Sequence, residues 1–160
     1  MRFNLAMYED LFYTFLISLS PVGEARLGIP FAIAHDIRPI PAFIAGFLGN
    51  FLVYPLLTFL IDVFNKRLWK NRLYKKHSLK IMRRAKKGVG KEIDKYGFWG
   101  IMVFVMVPLP FTGAYMGTIA AHLFNINRKK AFLAVSIGTL ISCLLMAFGS
   151  HFGKMGLELL

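Results

Sequence analysis

The sequence predicts an all-α integral membrane protein with two re-entrant hairpins, each followed by a transmembrane helix. These form an inverted repeat around a basic amphipathic cytoplasmic segment. Three observations lead there. First, 56% of the 160 residues are hydrophobic and mean hydropathy is +0.54, yet 20 Lys and Arg stand against only 8 Asp and Glu. Second, thirteen of those basic residues fall between Lys66 and Lys95, so the flanking stretches are almost free of charge. That segregation is the pattern of a membrane chain with one cytoplasmic basic loop. Third, four apolar stretches alternate between half and full bilayer length. Together these exclude a disordered tail and an ordinary soluble core. The length fits one domain, read as a first hairpin-span unit over about 8–64, a basic segment over 65–96 and a second hairpin-span unit over 97–150.

The first apolar run belongs to the fold rather than to a leader. Glu9 and Asp10 stand where a leader carries positive charge, and Pro21, Glu24 and Arg26 interrupt its end. Residues 11–20 reach only about 15 Å as a helix, half of a hydrocarbon core of about 30 Å. Residues 98–107 do the same. Between them, residues 41–64 reach about 36 Å, and residues 131–148 reach about 27 Å, so both are spans.

Each half-length stretch ends in a proline- and glycine-rich break. The first runs Pro21-Val22-Gly23-Glu24-Ala25-Arg26-Leu27-Gly28-Ile29-Pro30 and the second Pro108-Leu109-Pro110-Phe111-Thr112-Gly113-Ala114-Tyr115-Met116-Gly117. Proline withholds a backbone donor and glycine permits unusual dihedrals, so both read as unwound tips, with Pro21, Gly23, Gly28, Pro108, Pro110 and Gly117 shaping the turns. The competing reading is a pair of proline-kinked full crossings. Positive-inside counting separates the two: hairpins gather 16 basic residues on one face against Arg2, Arg38 and Lys154, whereas full crossings give 15 against 4. Hairpins are therefore expected, in the cell (cytoplasmic) membrane with residues 65–96 on the cytoplasmic side. An offset of 87 residues superposes Pro21 on Pro108, Ala34 on Ala121 and His35 on His122, and an odd number of crossings between copies makes the repeat inverted.

Glu24 and Arg26 are the ionisable residues nearest the middle of an apolar segment, where a charge costs from about 2.5 to more than 10 kcal/mol. One reading is a self-neutralising pair that pins the first tip. The functional reading makes Arg26 a permanent cation for an anionic group and Glu24 a proton carrier. Returning arms starting near Pro30 and near Thr112-Gly113 would aim two helix N-termini at the same depth, Thr112 as N-cap and Pro30 in a first turn, giving an anion-attracting focus. Tyr115 adds a hydroxyl there. Asn50 reads as glue between helices and Asp62 as interfacial.

Residues 66–95 mix Leu68, Trp69 and Tyr74 with Lys66, Arg67, Lys70, Arg72, Lys75, Lys76, Arg83 and Arg84, the composition of an amphipathic helix on anionic lipid headgroups. Flanking spans tie it to membrane lipid rather than nucleic acid. Cys143 has no partner for a disulfide or a metal set, and no cofactor or metal is expected. No hydrolase, phosphate-loop or zinc signature is present, so no enzymatic activity is expected.

The two breaks resemble a known family. Glu24-Ala25-Arg26-Leu27-Gly28-Ile29-Pro30 resembles the Glu-x-Arg-x-x-x-Pro motif of the small multidrug export proteins, and Pro108 to Ala114 resembles their Pro-x-Pro-x-Thr-Gly-Ala motif. The plan is similar to that of the DedA superfamily, which implies facing re-entrant hairpins and lipid-carrier translocation or proton-coupled export. The second hairpin here lacks the arginine of the DedA pattern and leaves Arg26 the one cation at that depth. The resulting expectation is a secondary transporter or lipid translocase. It takes an amphipathic or anionic substrate, such as a polyprenyl phosphate or phospholipid, between the tips with Glu24 and Arg26 as coupling pair. The alternative is a non-transporting protein that organises anionic lipid or a partner through its basic segment. Scant material for a passage predicts a homodimer, joined through small residues such as Gly46, Gly138 and Ser142.

Overall fold

A computed structural model describes residues 2–68, 96–108 and 113–158, and every regular element among them is a helix. In chain order these are α1 (Arg2–Leu19), α2 (Glu24–Ala34), α3 (Pro39–Phe51), α4 (Val53–Leu68), α5 (Tyr96–Met106), α6 (Ala114–Leu123) and α7 (Arg128–Glu158). Helix α1 extends back beyond the apolar run to Arg2. It stops where Ser20 turns the chain: the Ser20 hydroxyl donates to the Ile17 carbonyl (2.8 Å) and accepts from the Gly23 N–H (3.0 Å). Helix α2 then starts at Glu24, so Pro30 lies inside it and not in its first turn. The helix tolerates the missing donor because it is only 11 residues long and ends soon after.

Helices α2 and α6 end alike. Asp36 (φ 63°) and Asn125 (φ 56°) adopt the left-handed conformation that these two residue types accept most readily after glycine. The following N–H groups, of Ile37 and Ile126, reach back to the Ala32 and Ala121 carbonyls, each at 3.0 Å. The expected span over 41–64 is present as α3 and α4, interrupted at Leu52. Pro55 is the cause, since it cannot donate to the Phe51 carbonyl. Residues Pro39–Phe64 and Arg128–Gly156 are the two stretches of membrane-crossing length and composition.

Packing runs opposite to that of a soluble domain. Ala25, Ala32, Ala42, Cys143 and Ala147 form one core with Ile29 and Ile33, and Ala114, Ala121, Ala131 and Ala134 form another with Val105 and Val135. Helix α7 contributes to both. Large apolar side chains such as Phe59, Phe64, Trp99, Phe148 and Phe152 face outward, each about 60% exposed. Water would penalise that exterior by roughly 25 cal/mol per Å². Small residues inside and large ones outside are how helices pack in lipid, where close backbone approach drives association. The chain is a membrane protein.

Glycines set those approaches. Gly28 on α2 lies against Thr14 and Ser18 of α1, so α2 runs back along α1. A Cβ on Gly49 would stand 2.5 Å from the Phe15 carbonyl and 3.0 Å from the Ser18 Cβ. The second half repeats this pattern: Gly117 meets Val105, and a Cβ on Gly138 would stand 2.7 Å from the Met102 carbonyl and 2.9 Å from the Val105 Cβ. First arms therefore correspond at an offset of 87, but α2 and α3 correspond to α6 and α7 at 89. The single offset, with its pairing of Ala34 with Ala121 and His35 with His122, is corrected: Ala32 matches Ala121, because two more residues lie between Val105 and Gly117 than between Ser18 and Gly28. Gly46 packs on Ile29, Gly138 on α5, and Ser142 is buried. These small residues serve contacts within the chain.

At one end, Arg128 donates two hydrogen bonds to the Asp62 carboxylate, both 2.8 Å, and its carbonyl accepts from the Tyr54 hydroxyl at 3.0 Å. At the other, Lys154 of α7 binds Asp36 and donates to the Ile33 carbonyl (3.1 Å). Of the basic segment, Lys66 and Arg67 belong to the end of α4, while Lys70, Arg72, Lys75, Lys76, Arg83 and Arg84 lie outside the described residues. Asn50 is buried.

Replacing Gly138 by Val should lower the thermal midpoint in detergent, since overpacking costs about 1–3 kcal/mol. Gly149→Ala is the control: its methyl meets nothing within 4 Å, and helix propensity favours it by about 1 kcal/mol. Equal midpoints for Gly138→Val and the parent would contradict this packing.

Candidate functional site

The break between α5 and α6 creates two helix ends. Helix α5 ends at Met106, with Val107 and Pro108 following, and α6 opens at Ala114 after Gly113 in extended conformation (φ −79°, ψ −161°). Glycine has no side chain with which to cap, and among the described residues no local side chain caps α6. The leading N–H groups of α6 and the last carbonyls of α5 thus need partners from elsewhere.

The first tip supplies both. The Glu24 carboxylate lies over Gly113, where the Tyr115 N–H donates to Oε1 (3.4 Å) and the Ala114 N–H also faces it. A Cβ on Gly113 would overlap that carboxylate, which explains the glycine. Two residues on, Arg26 Nη2 donates to the Val107 carbonyl at 3.1 Å. An anion thus meets a helix N-terminus and a cation a helix C-terminus, the favourable arrangement for both dipole ends. The second half answers in kind: the Tyr115 hydroxyl donates to the Leu19 carbonyl at the end of α1 (2.5 Å).

Glu24 sits in the left-handed region at φ 47°, a conformation that costs a side-chain-bearing residue about 1–3 kcal/mol. The strain turns its carboxylate toward the second half. Glu24 is 7% exposed, and its Oε2 has no hydrogen-bond partner among the described residues. Its neighbour Val22 is 88% exposed. The tip therefore hides its acid and shows apolar atoms.

The structure brings Glu24, Arg26, Gly113 and Tyr115 together. Pro21, Gly23 and Pro108 lie at the breaks. Gly28 and Gly117 do not shape tips: both sit within helices, at close approaches to α1 and α5. Pro30 lies six residues beyond Glu24 inside α2, away from the clasp. Thr112 and Pro110 lie outside the described residues, and the cap position of α6 belongs to Gly113. At the α6 N-terminus, the position read as an anion focus, the structure places the Glu24 carboxyl group. Two participants were missed, the carbonyls of Leu19 and Val107. The signal for them was present, as each falls just before a proline that ends its helix and strips acceptors of their partners. Among the described residues no His, Cys, Asp and Glu group could hold a metal ion. Cys143 is buried and unpaired with any other cysteine.

Compared with known proteins, residues 24–145 match a family model described as Putative small multi-drug export protein. No curated protein and no solved structure matches. The matched stretch begins at Glu24, just past the turn that ends α1, and includes the break between α5 and α6.

Tyr115→Phe removes one donor to Leu19 and should cost about 1 kcal/mol of stability. Gly113→Ala forces the carboxylate off α6 and should cost more, leaving buried N–H groups unmet at about 1–3 kcal/mol. Thermal unfolding of both variants in detergent tests the order; a Gly113→Ala protein as stable as the parent would refute the clasp.

Proposed function

From membership of the small multi-drug export protein family, to which the chain belongs, we propose a secondary transporter or lipid translocase that takes an amphipathic substrate between two re-entrant tips, with Glu24 as the coupling acid. The re-entrant reading is supported by the two ion pairs. Asp62 and Arg128 meet at one end of the spans, and Asp36 and Lys154 meet at the other. The stretch from Asp62 to Arg128 thus leaves and returns on one face, which argues for α5 and α6 as an incomplete crossing. The recurrence of glycine contacts at Gly28 and Gly117, and at Gly49 and Gly138, supports an inverted repeat. Positive-inside counting favours the Arg128 end as the cytoplasmic one.

The observation that carries the function is the Glu24 carboxylate on the α6 N-terminus. While ionised, it occupies the donors that an anionic headgroup would use. On taking a proton, the carboxyl loses its claim on them, since a charged acceptor binds N–H groups about twice as strongly as a neutral one. The α6 N-terminus and Arg26 then become receptive to the anionic group of a substrate such as a polyprenyl phosphate or phospholipid, and proton and substrate load together. A hydrophobic cation would instead compete with the proton for Glu24, so its coupling to the pH gradient has the opposite sense.

Glu24→Gln keeps an acceptor oxygen for the α6 donors while removing the exchangeable charge. In liposomes of the full chain, the variant should insert and fold like the parent. It should carry none of a panel comprising polyprenyl phosphate, phosphatidylglycerol and a lipophilic phosphonium, at least a tenfold loss for whichever probe the parent moves. Parental transport by Glu24→Gln would remove the coupling role. The sign of the pH-gradient effect distinguishes anion from cation.

A further inference from the structure

Far from the tips, the corner between α2 and α3 and the end of α7 enclose a 280 Å³ cavity. That is near the lower end of the size of small-molecule clefts, about 300–1,000 Å³. Its floor is apolar, from the buried Ile33 and Ile37, and its rim carries Arg38, His151 and Lys154. We infer that this cavity is a binding site for a phosphate-type oxyanion, held by Arg38 and Lys154 with His151 beside them.

Charge accounting supports an anion. The one acid lining the cavity, Asp36, is already bound by Lys154, and the Lys154 ammonium holds its carboxyl below the usual carboxylate range. Their charges cancel, and Arg38 remains. The Arg38 side chain makes no hydrogen bond or ion pair among the described residues. Its planar fork of donors suits phosphate oxygens, which it can bind in pairs. Lys154 directs one donor to Asp36 and one to the Ile33 carbonyl, and an ammonium has three.

The matching corner in the second half shows what differs. Asn127 stands at the position equivalent to Arg38 and caps α7 itself, accepting the Lys129 N–H at 3.0 Å. At Arg38 the equivalent side chain is a donor, and α3 has no side-chain cap. The first corner is thus built of donors where the second is self-satisfied. Its apolar floor and the exposed Phe152 and Met155 nearby would accommodate a chain attached to the oxyanion. The site stands whether or not the tips carry transport.

The test uses the full chain in phosphatidylcholine nanodiscs, a phosphatidic acid probe with a photoreactive group near its phosphate, and mass-spectrometric mapping of adducts. Adducts are expected within 33–39 or 151–155. They should fall at least fivefold in Arg38→Gln and stay unchanged in Lys130→Gln, an exposed cation at the other end of α7. Displacement of these adducts by inorganic phosphate would assign the site to the oxyanion alone, and failure of displacement to a lipid-borne headgroup; both support the proposal. Absence of adducts there in the parent, or parental labelling in a folded Arg38→Gln, would overturn it. His151→Gln gives a second variant, expected to weaken labelling without touching the Asp36–Lys154 pair.

Discussion

A helix broken inside an apolar medium leaves donors at one new end and acceptors at the other, and no solvent is present to satisfy them. The arrangement of α5 and α6 depends on how that demand is met. One tip is broken so that its first residues can cap the other: Glu24 goes to the α6 N-terminus and Arg26 to the Val107 carbonyl. Tyr115 returns a hydroxyl to Leu19. Placing Glu24 there requires a left-handed backbone at that residue, a bare Gly113 opposite, and α2 held tightly along α1 by Gly28. The glycine contacts of the scaffold and the strain at Glu24 serve one contact.

The energies explain why such a contact can switch. A charge at depth in a membrane costs at least about 2.5 kcal/mol. Hydrogen bonds to a charged group return about 1.5–3 kcal/mol each, and a helix dipole adds up to about 2 in partly buried geometry. Gain and cost are of the same size. With Oε2 lacking a partner among the described residues and the backbone strained, the contact is balanced rather than locked. A contact so balanced is the kind that the coupling role proposed for Glu24 requires. The two halves share their scaffold contacts, but only the first tip brings charges. The second contributes bare helix ends, which is why its lack of an arginine does not leave the site incomplete.

Much of this was legible in the sequence, for reasons that differ by residue. The spans over 41–64 and 131–148 follow from apolar length alone, and the breaks follow from Pro21 and Pro108, because proline acts on its own backbone whatever surrounds it. The selection of Glu24, Arg26, Gly113 and Tyr115 followed from the cost of charge in oil and from helix-start chemistry. What these residues touch did not follow. That Glu24 caps a helix 90 residues later depends on the tertiary approach of the tips, and no local pattern encodes it. Pro30 misled because proline favours first turns, yet α2 begins six residues earlier, at the strained Glu24. Gly28 and Gly117 misled for a related reason: turn and close approach both select glycine, and only neighbours such as Ser18 and Val105 tell them apart.

The same tertiary approach restricts the chemistry at positions 24 and 26. The Glu24 carboxylate reaches α6 only because Gly113 presents no Cβ, so the gap between the tips is already at its smallest. Aspartate, one methylene shorter, would withdraw the charge from a contact that is 3.4 Å long even with glutamate. Lysine at 26 would keep the positive charge but replace a fixed fork of donors by a single rotating group. It would also be more readily neutralised at depth, whereas arginine stays charged. The tip thus sets an acid that can change its protonation state on α6 and a base with a fixed fork of donors on the last carbonyl after α5.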